Sequence, residues 1–272
     1  MTIAAERFCV NRKIAPSLSI EAFFKLVSST GLHRVELRND LPGGSVTDNL
    51  SHQQVRALAQ RYQIDIVTIN AVYPFNRHSE EVRTLTEQLL REAKDVGASA
   101  LVMCPLNDGS PVSQEETIDA LRDLAPLFAA CGISGLVEPL GFPQSSLRSA
   151  AQAQHLIRDA GVPFKLLIDT FHHHLYPEAD AEFPQVDIAN IGLVHLSGVE
   201  DARAREKLTD DERIMLTPAD RLFTCQQVKH LESRGYKGIY AFEPFAPELA
   251  DWDEARIRDE IQNSIRLIQQ SC

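Results

Sequence analysis

No stretch of this 272-residue chain approaches the roughly 20 apolar residues of a membrane span, and its opening, MTIAAERFCV, lacks the apolar run of a signal peptide. The expectation is a cytoplasmic protein with no membrane partner. Basic residues are in short supply. The 27 Lys and Arg stand against 38 Asp and Glu, for a formal net charge of −11. Phosphate binding needs a basic face, so no nucleic-acid partner is expected. The five cysteines, Cys9, Cys104, Cys131, Cys225 and Cys272, are scattered and without CxxC spacing. That fits reduced thiols better than a disulfide framework. The chain also lacks a serine nucleophile elbow and a dinucleotide fingerprint. Gly43-Gly44 has neither the lysine nor the helix context of a phosphate loop, so an unphosphorylated substrate is preferred.

No low-complexity segment or linker divides the sequence, and a single domain over 1–272 is expected. Short apolar runs alternate with longer amphipathic segments, which signals βα units around a parallel sheet. Strands are predicted at 7–11, 33–38, 65–70, 100–104, 133–138, 166–169, 191–195 and 238–243. Helices are predicted at 19–29, 51–62, 79–96, 113–130, 146–160, 224–234 and 254–270. Serines stand where N-caps belong, and Gly31, Gly97, Gly132, Gly161 and Gly235 follow helix ends, where a left-handed residue is favoured. A helix within 177–187 contains Pro184 and is expected to be short or broken. The long polar segment 197–223 reads as a lid or an insertion. Eight strands and roughly eight helices predict an α/β fold, the (β/α)8 TIM barrel.

In such a barrel the active site lies at the C-terminal ends of the strands. Four apolar runs here stop at a charged or imidazole side chain: ISGLVE at Glu138, KLLID at Asp169, IGLVH at His195 and GIYAFE at Glu243. Each alone reads most simply as a polar residue at a loop start. Together, three carboxylates and one imidazole make a donor set for one divalent ion, with Mn²⁺, Mg²⁺, Co²⁺ and Zn²⁺ all open. Without a cation, three carboxylates in one mouth would repel and shift each other's protonation. An ion there would polarise a carbonyl and stabilise an enediolate, with Glu138 and Glu243 flanking the substrate as acid and base. Asp169 and His195 would act mainly as ligands. That describes an isomerase or epimerase of a polyol-like substrate. Arg38 and Asn70 also end strands, and a hydroxyl is a natural partner for either. Tyr73, Phe75 and Trp252 fall in mouth loops, as an apolar wall or as plain packing. Cys104 reads as an inert thiol.

The segments VEPLGFPQS, IDTFHHH, VHLSGVED, TDDERI and FEPFAPE resemble the motifs of the xylose-isomerase-like TIM barrels over nearly the whole chain. Within that superfamily the likeness is strongest to the inosose isomerases of myo-inositol catabolism. The resemblance implies Glu138, Asp169, His195 and Glu243 as metal ligands. It implies His172, in an Asp-x-x-His pattern with Asp169, as a substrate contact. His174 and Arg213 also match substrate-side positions. Arg213 reads equally well as a solvated loop charge, and His173 has no counterpart and is expected at the surface. Relatives suggest a homodimer. One departure is plain: a Pro-Gly-x-Gly turn is replaced by MLTPADRLFT around Pro218, so the loop backbone must differ there. Dehydration of an inosose or a 3-dehydroshikimate-like substrate is open on the same ligand set. An AP-endonuclease-like repair enzyme and a non-catalytic sugar-binding protein are the remaining alternatives.

Overall fold

The structure, a computed structural model, describes residues 3–271. Cys272 and the first two residues lie outside that range. Eight strands, β1 Phe8–Asn11, β2 Arg34–Arg38, β3 Asp65–Val72, β4 Ala100–Met103, β5 Ser134–Val137, β6 Lys165–Asp169, β7 Ile191–Leu196 and β8 Ile239–Phe242, pair in parallel in chain order. β1 also pairs with β8, through Phe8 with Tyr240 and Val10 with Phe242, and this closes the barrel. The helices that cover it are α1 Ile20–Ser29, α2 His52–Tyr62, α3 Glu80–Val96, α4 Gln114–Cys131, α5 Ala150–Ala160, α6 Thr170–Leu175, α7 Ala179–Glu182, α8 Thr224–Ser233 and α9 Glu254–Ser271.

The caps follow the sequence closely. Ser19, Ser51, Ser79, Ser113 and Ser149 each accept a backbone N–H at the start of a helix. Ser51 with Gln54 and Ser113 with Glu116 form reciprocal capping boxes. Each such cap is worth about 1 kcal/mol. Gly97, Gly132 and Gly161 end α3, α4 and α5 with positive φ.

Two local expectations, for α5 and for His173, are corrected. α5 begins at Ala150 rather than 146, because Ser149, not Ser146, supplies the cap. The short or broken helix predicted within 177–187 is found as α7 and a 3-10 turn at Phe183–Gln185. A further helical turn, α6, precedes it and carries the three histidines. Asp169 starts α6 by accepting from the N–H groups of Phe171 and His172 at 2.7 and 3.3 Å. His173 is not at the surface: its side chain is 11 % exposed and packs on Phe183.

Strand side chains alternate between two environments. One set faces outward into the main core shared with the helices. The other faces the barrel axis. There Cys9, Val67, Val102, Leu136, Leu167 and Leu193 belong to a separate apolar plug. Charged and polar side chains lie above this plug, toward the C-terminal ends. At the other end Arg7 ties β1 to the last unit: it donates to Glu232 of α8 at 2.7 and 3.0 Å and to the Gly238 carbonyl at 2.8 Å. Its guanidinium also lies against the rings of Tyr236 and Tyr240.

Around Pro218 the chain turns through a hydrogen bond from Asp220 N to the Thr217 carbonyl at 3.1 Å. The left-handed step falls further on, at Phe223 with φ 58°. The Asp220 carboxylate holds this backbone, accepting from the N–H groups of Val199, Leu222 and Thr224. A side chain thus orders a turn that has no glycine.

Candidate metal centre at the barrel mouth

Asp169 ends β6 and His195 lies near the end of β7. Glu138 and Glu243 directly follow β5 and β8, and their N–H groups still bond the neighbouring strands, at Met103 O and Leu196 O. One donor atom from each of the four side chains lies within 4.8 Å of the other three, and all four residues are buried. His195 Nδ1 faces Glu243 Oε2 at 2.9 Å, Glu138 Oε1 at 3.4 Å and Asp169 Oδ2 at 3.8 Å.

The support comes from the first half of the chain. Glu36, fully buried on β2, faces His195 Nε2 with both carboxylate oxygens, at 3.0 and 3.2 Å. Thr68 Oγ1 donates to Glu36 at 2.6 Å, Asn11 Nδ2 at 3.1 Å and Asn70 Nδ2 at 3.2 Å. Arg38 donates to Glu243 Oε1 at 2.6 Å and to both oxygens of Asp40. Asn11 Nδ2 also reaches Glu243 Oε1, at 3.2 Å.

Arg213 enters from the segment 197–223. Its Nη2 donates to Asp169 Oδ2 and, at 2.9 Å, to Glu243 Oε2, while Nη1 donates to Asp210 at 3.1 Å. The guanidinium lies over the rings of Phe171 and Phe245. With 1 % of its side chain exposed, Arg213 is no solvated loop charge.

The charges of this buried group do not balance on their own. With His195 counted as neutral, Glu36, Glu138, Asp169 and Glu243 face two guanidinium groups, Arg38 and Arg213, a formal deficit of two positive charges. Two like charges about 5 Å apart repel by about 3 kcal/mol at an effective dielectric of about 20. Protons respond accordingly. Burial pushes the Asp169 carboxyl up to about 7; Arg213 opposes this, and Glu138 and Glu243 add to it. Burial alone would lower the His195 imidazole, but Glu243, Glu36 and Glu138 lift it well above its usual value. Burial opposes ionisation of Glu243 too, yet His195, Arg38 and Arg213 hold it well below the usual carboxylate range.

A single divalent cation would cancel the deficit of two. The chemistry of the donor set fits one, with three oxygen donors and one nitrogen. His195 Nδ1 is buried, has no hydrogen-bond partner among the described residues and lies 2.9 to 3.8 Å from oxygens of the three carboxylates, a placement that suits a nitrogen donor to a shared cation.

The other predicted residues divide. Arg38 and Arg213 are brought to the donor cluster, whereas Asn70 reaches its support, Glu36. His172 lies beside it on α6, packed edge-on against Phe142 and Phe171. Burial, with Arg213 adding, pushes its pKa down to about 3, and its buried Nδ1 has no hydrogen-bond partner among the described residues. His174 turns to a groove of about 350 Å³ that it shares with Arg205, Phe223, Gln226 and His230. Phe75 is plain core, Tyr73 is exposed and Trp252 is buried. Sequence reading missed the function of Glu36 and the contact of Cys104, whose Sγ donates to Glu138 Oε2 at 3.4 Å. The sign for Glu36 was an acid on a strand, in step with Arg38 and between apolar neighbours.

Fold and mouth together define a class: a (β/α)8 barrel whose last four strands present one carboxylate-rich, cation-type donor set. The chain belongs to the xylose isomerase-like TIM barrel family, whose profile matches residues 24–268. It is 60 % identical to a xylose isomerase domain containing protein from Salmonella typhimurium LT2, with a TM-score of 0.98 over 98 % of this chain and 99 % of that one. It is 24 % identical to an inosose isomerase of Halalkalibacterium halodurans over 205 residues, 72 % of each chain. The fold also matches the IolI protein crystallised with a zinc atom, at a TM-score of 0.87 and 20 % identity over 98 % of this chain and 99 % of that one.

Proposed function

We propose that the chain is a divalent-metal-dependent isomerase or epimerase of a keto-polyol or free ketose, with an inosose the substrate of first choice. One observation carries this reading: Glu138 and Glu243 approach the cation position from different strands, and each keeps a second carboxylate oxygen outside the cluster. Among the described residues Glu138 Oε2 accepts from the Cys104 thiol alone, whereas Glu243 Oε1 is held by Arg38 and Asn11. The inosose isomerase relatives and the zinc atom in the IolI protein support the substrate class and the ion.

Glu138, Asp169, His195 and Glu243 would hold the ion, which supplies Lewis-acid stabilisation of the negative charge on an enediolate. The protein's own residues do the rest. Glu138, the less encumbered acid, takes the proton from the carbon next to the carbonyl. Glu243, on the other flank and ionised at the start, takes up the proton of the adjacent substrate hydroxyl and returns it to the neighbouring centre, while the Glu138 proton goes to the former carbonyl oxygen. Arg213 and the unpartnered His172 Nδ1 bind substrate hydroxyls, and the rings of Phe142, Phe171 and Phe245 keep water away from the reacting carbons.

Proton NMR of metal-loaded protein in D₂O tests this, with scyllo-inosose and, separately, D-fructose and D-tagatose. Deuterium next to the carbonyl together with a new ketone isomer is expected, and neither Glu138→Gln nor Glu243→Gln should produce it. Loss of water to a dione would move the assignment to a dehydratase. Full activity in both variants would refute the acid–base roles.

A further inference from the structure

We infer that Glu36 sets the tautomer of His195 and so makes Nδ1, rather than Nε2, the nitrogen that faces the ion. The inference rests on the reading of the four-donor cluster as a metal centre, but concerns a residue outside that donor set.

Strand register gives Glu36 its place: on β2 it pairs with Asn11 of β1 and Thr68 of β3. The direction of each hydrogen bond around it is fixed. Asn11 Oδ1 accepts from Lys13 N at 3.0 Å and from Arg38 Nη1 at 3.2 Å, so the amide cannot be turned over, and its Nδ2 must point at Glu36 and Glu243. The Thr68 hydroxyl lies near Asn70 Nδ2, which can only donate, and therefore spends its own proton on Glu36 Oε1. Glu36 thus accepts from every polar neighbour. The ring nitrogen facing it, His195 Nε2, must also donate. A lone pair there would confront two carboxylate oxygens at 3.0 and 3.2 Å in a fully buried setting. Nδ1 also faces carboxylates, at 2.9 to 3.8 Å, but these are the three oxygen donors of the cation position; with Nε2 bearing the proton, the ring is free to offer Nδ1 to a cation held among them. An acid that holds the far nitrogen of a metal-binding histidine fixes ring orientation and raises donor strength.

The near-isosteric Glu36→Gln variant should weaken the arrangement. Thr68 and Asn70 claim the amide oxygen at the Oε1 position, which sets the NH₂ group at the Oε2 position, 3.0 Å from His195 Nε2 and 3.1 Å from the Asn11 amide donor. His195 Nε2 then keeps one neutral acceptor at 3.2 Å in place of a carboxylate, and the hold on its proton loosens. Glu36 is a positioning residue, and its effect should be visible in spectra and metal affinity without substrate.

The experiment uses the full-length protein, ¹⁵N-labelled at histidine and loaded with ¹¹³Cd²⁺, with the His195 signals identified by their loss in His195→Asn. In the wild type the cadmium coupling should fall on Nδ1, with Nε2 still bearing a proton; coupling to Nε2 would overturn the inference. In Glu36→Gln, Cd²⁺ and Zn²⁺ affinities measured by chelator competition should fall about 10–100-fold. Equal affinity in a folded variant, judged by its metal-free melting temperature, would also overturn it. The wild-type spectrum decides the matter if the variant does not fold. A wild type that binds neither ion would bring down the metal-centre reading and this inference with it. A wild type with Nδ1 coupling but no turnover would bring down only the proposed activity.

Discussion

Glu138 and Glu243 offer a cation the same functional group in very different company. Glu243 is held by two guanidinium groups and an amide, and Glu138 by a single thiol. Removing that thiol leaves a buried carboxylate oxygen short of one weak donor, worth about 1 kcal/mol. Cys104→Ala should therefore lower kcat about fivefold with metal affinity little changed, and Cys104→Ser should restore most of the rate, as steady-state kinetics and metal titration would show. Arg213 is a sharper case, because its partners Asp169 and Glu243 are also proposed metal donors. Arg213→Met should cost about 3–5 kcal/mol in metal-free protein, the usual price of orphaning a buried charge. Saturating metal should recover much of it, and thermal melts with and without metal would read the difference. Glu138, Asp169, His195 and Glu243 were legible in the sequence because each ends an apolar run. Glu36 and Cys104 were not, because nothing local marks a partner 159 residues away for Glu36 or 34 away for Cys104.

Among the elements, those with local signals were read closely, α5 excepted, where two nearby serines offered rival starts and the later one caps the helix. A serine cap and a following glycine are short-range instructions, and α3 and α4 obey both. α6 escaped notice because its start depends on Asp169, a residue read as strand end and metal ligand; one of its oxygens also caps the helix. The joint between α8 and β1 carries a prediction of its own. Burial opposes ionisation of Glu232, but its hydrogen bonds with Arg7 and Tyr240 hold its pKa below the usual value. A carboxyl with a depressed folded-state pKa stabilises the fold above its unfolded value, about 4.5, and that stability is lost as pH falls through the folded value. Urea unfolding of Glu232→Gln should show lower stability than the wild type at pH 7, with the gap narrowing as pH falls below about 4.5. A constant gap down to pH 3 would contradict this account of the pair.

At the scale of the molecule, an ion that binds only the folded chain must stabilise it. At one hundred times its dissociation constant the gain is about 2.7 kcal/mol, enough to raise Tm by roughly 5 °C. Calorimetry before and after chelation should find that shift, and should find it reduced in His195→Asn. The barrel itself could be read from alternation alone; the closing of its mouth by Arg213 could not, since 197–223 has no period that reports where a loop side chain ends up. The layout of the mouth also bears on how the protein is made. The four proposed cation donors come from residues 138–243, and their supports, Asn11, Glu36, Arg38, Thr68 and Asn70, from the first three strands. During synthesis the supports leave the ribosome first and wait, and the last donor follows the very strand, β8, that closes onto β1. A nascent chain that ends before β8 therefore has neither the full donor set nor a closed barrel, so a metal ion at this position would favour only a chain long enough to close it.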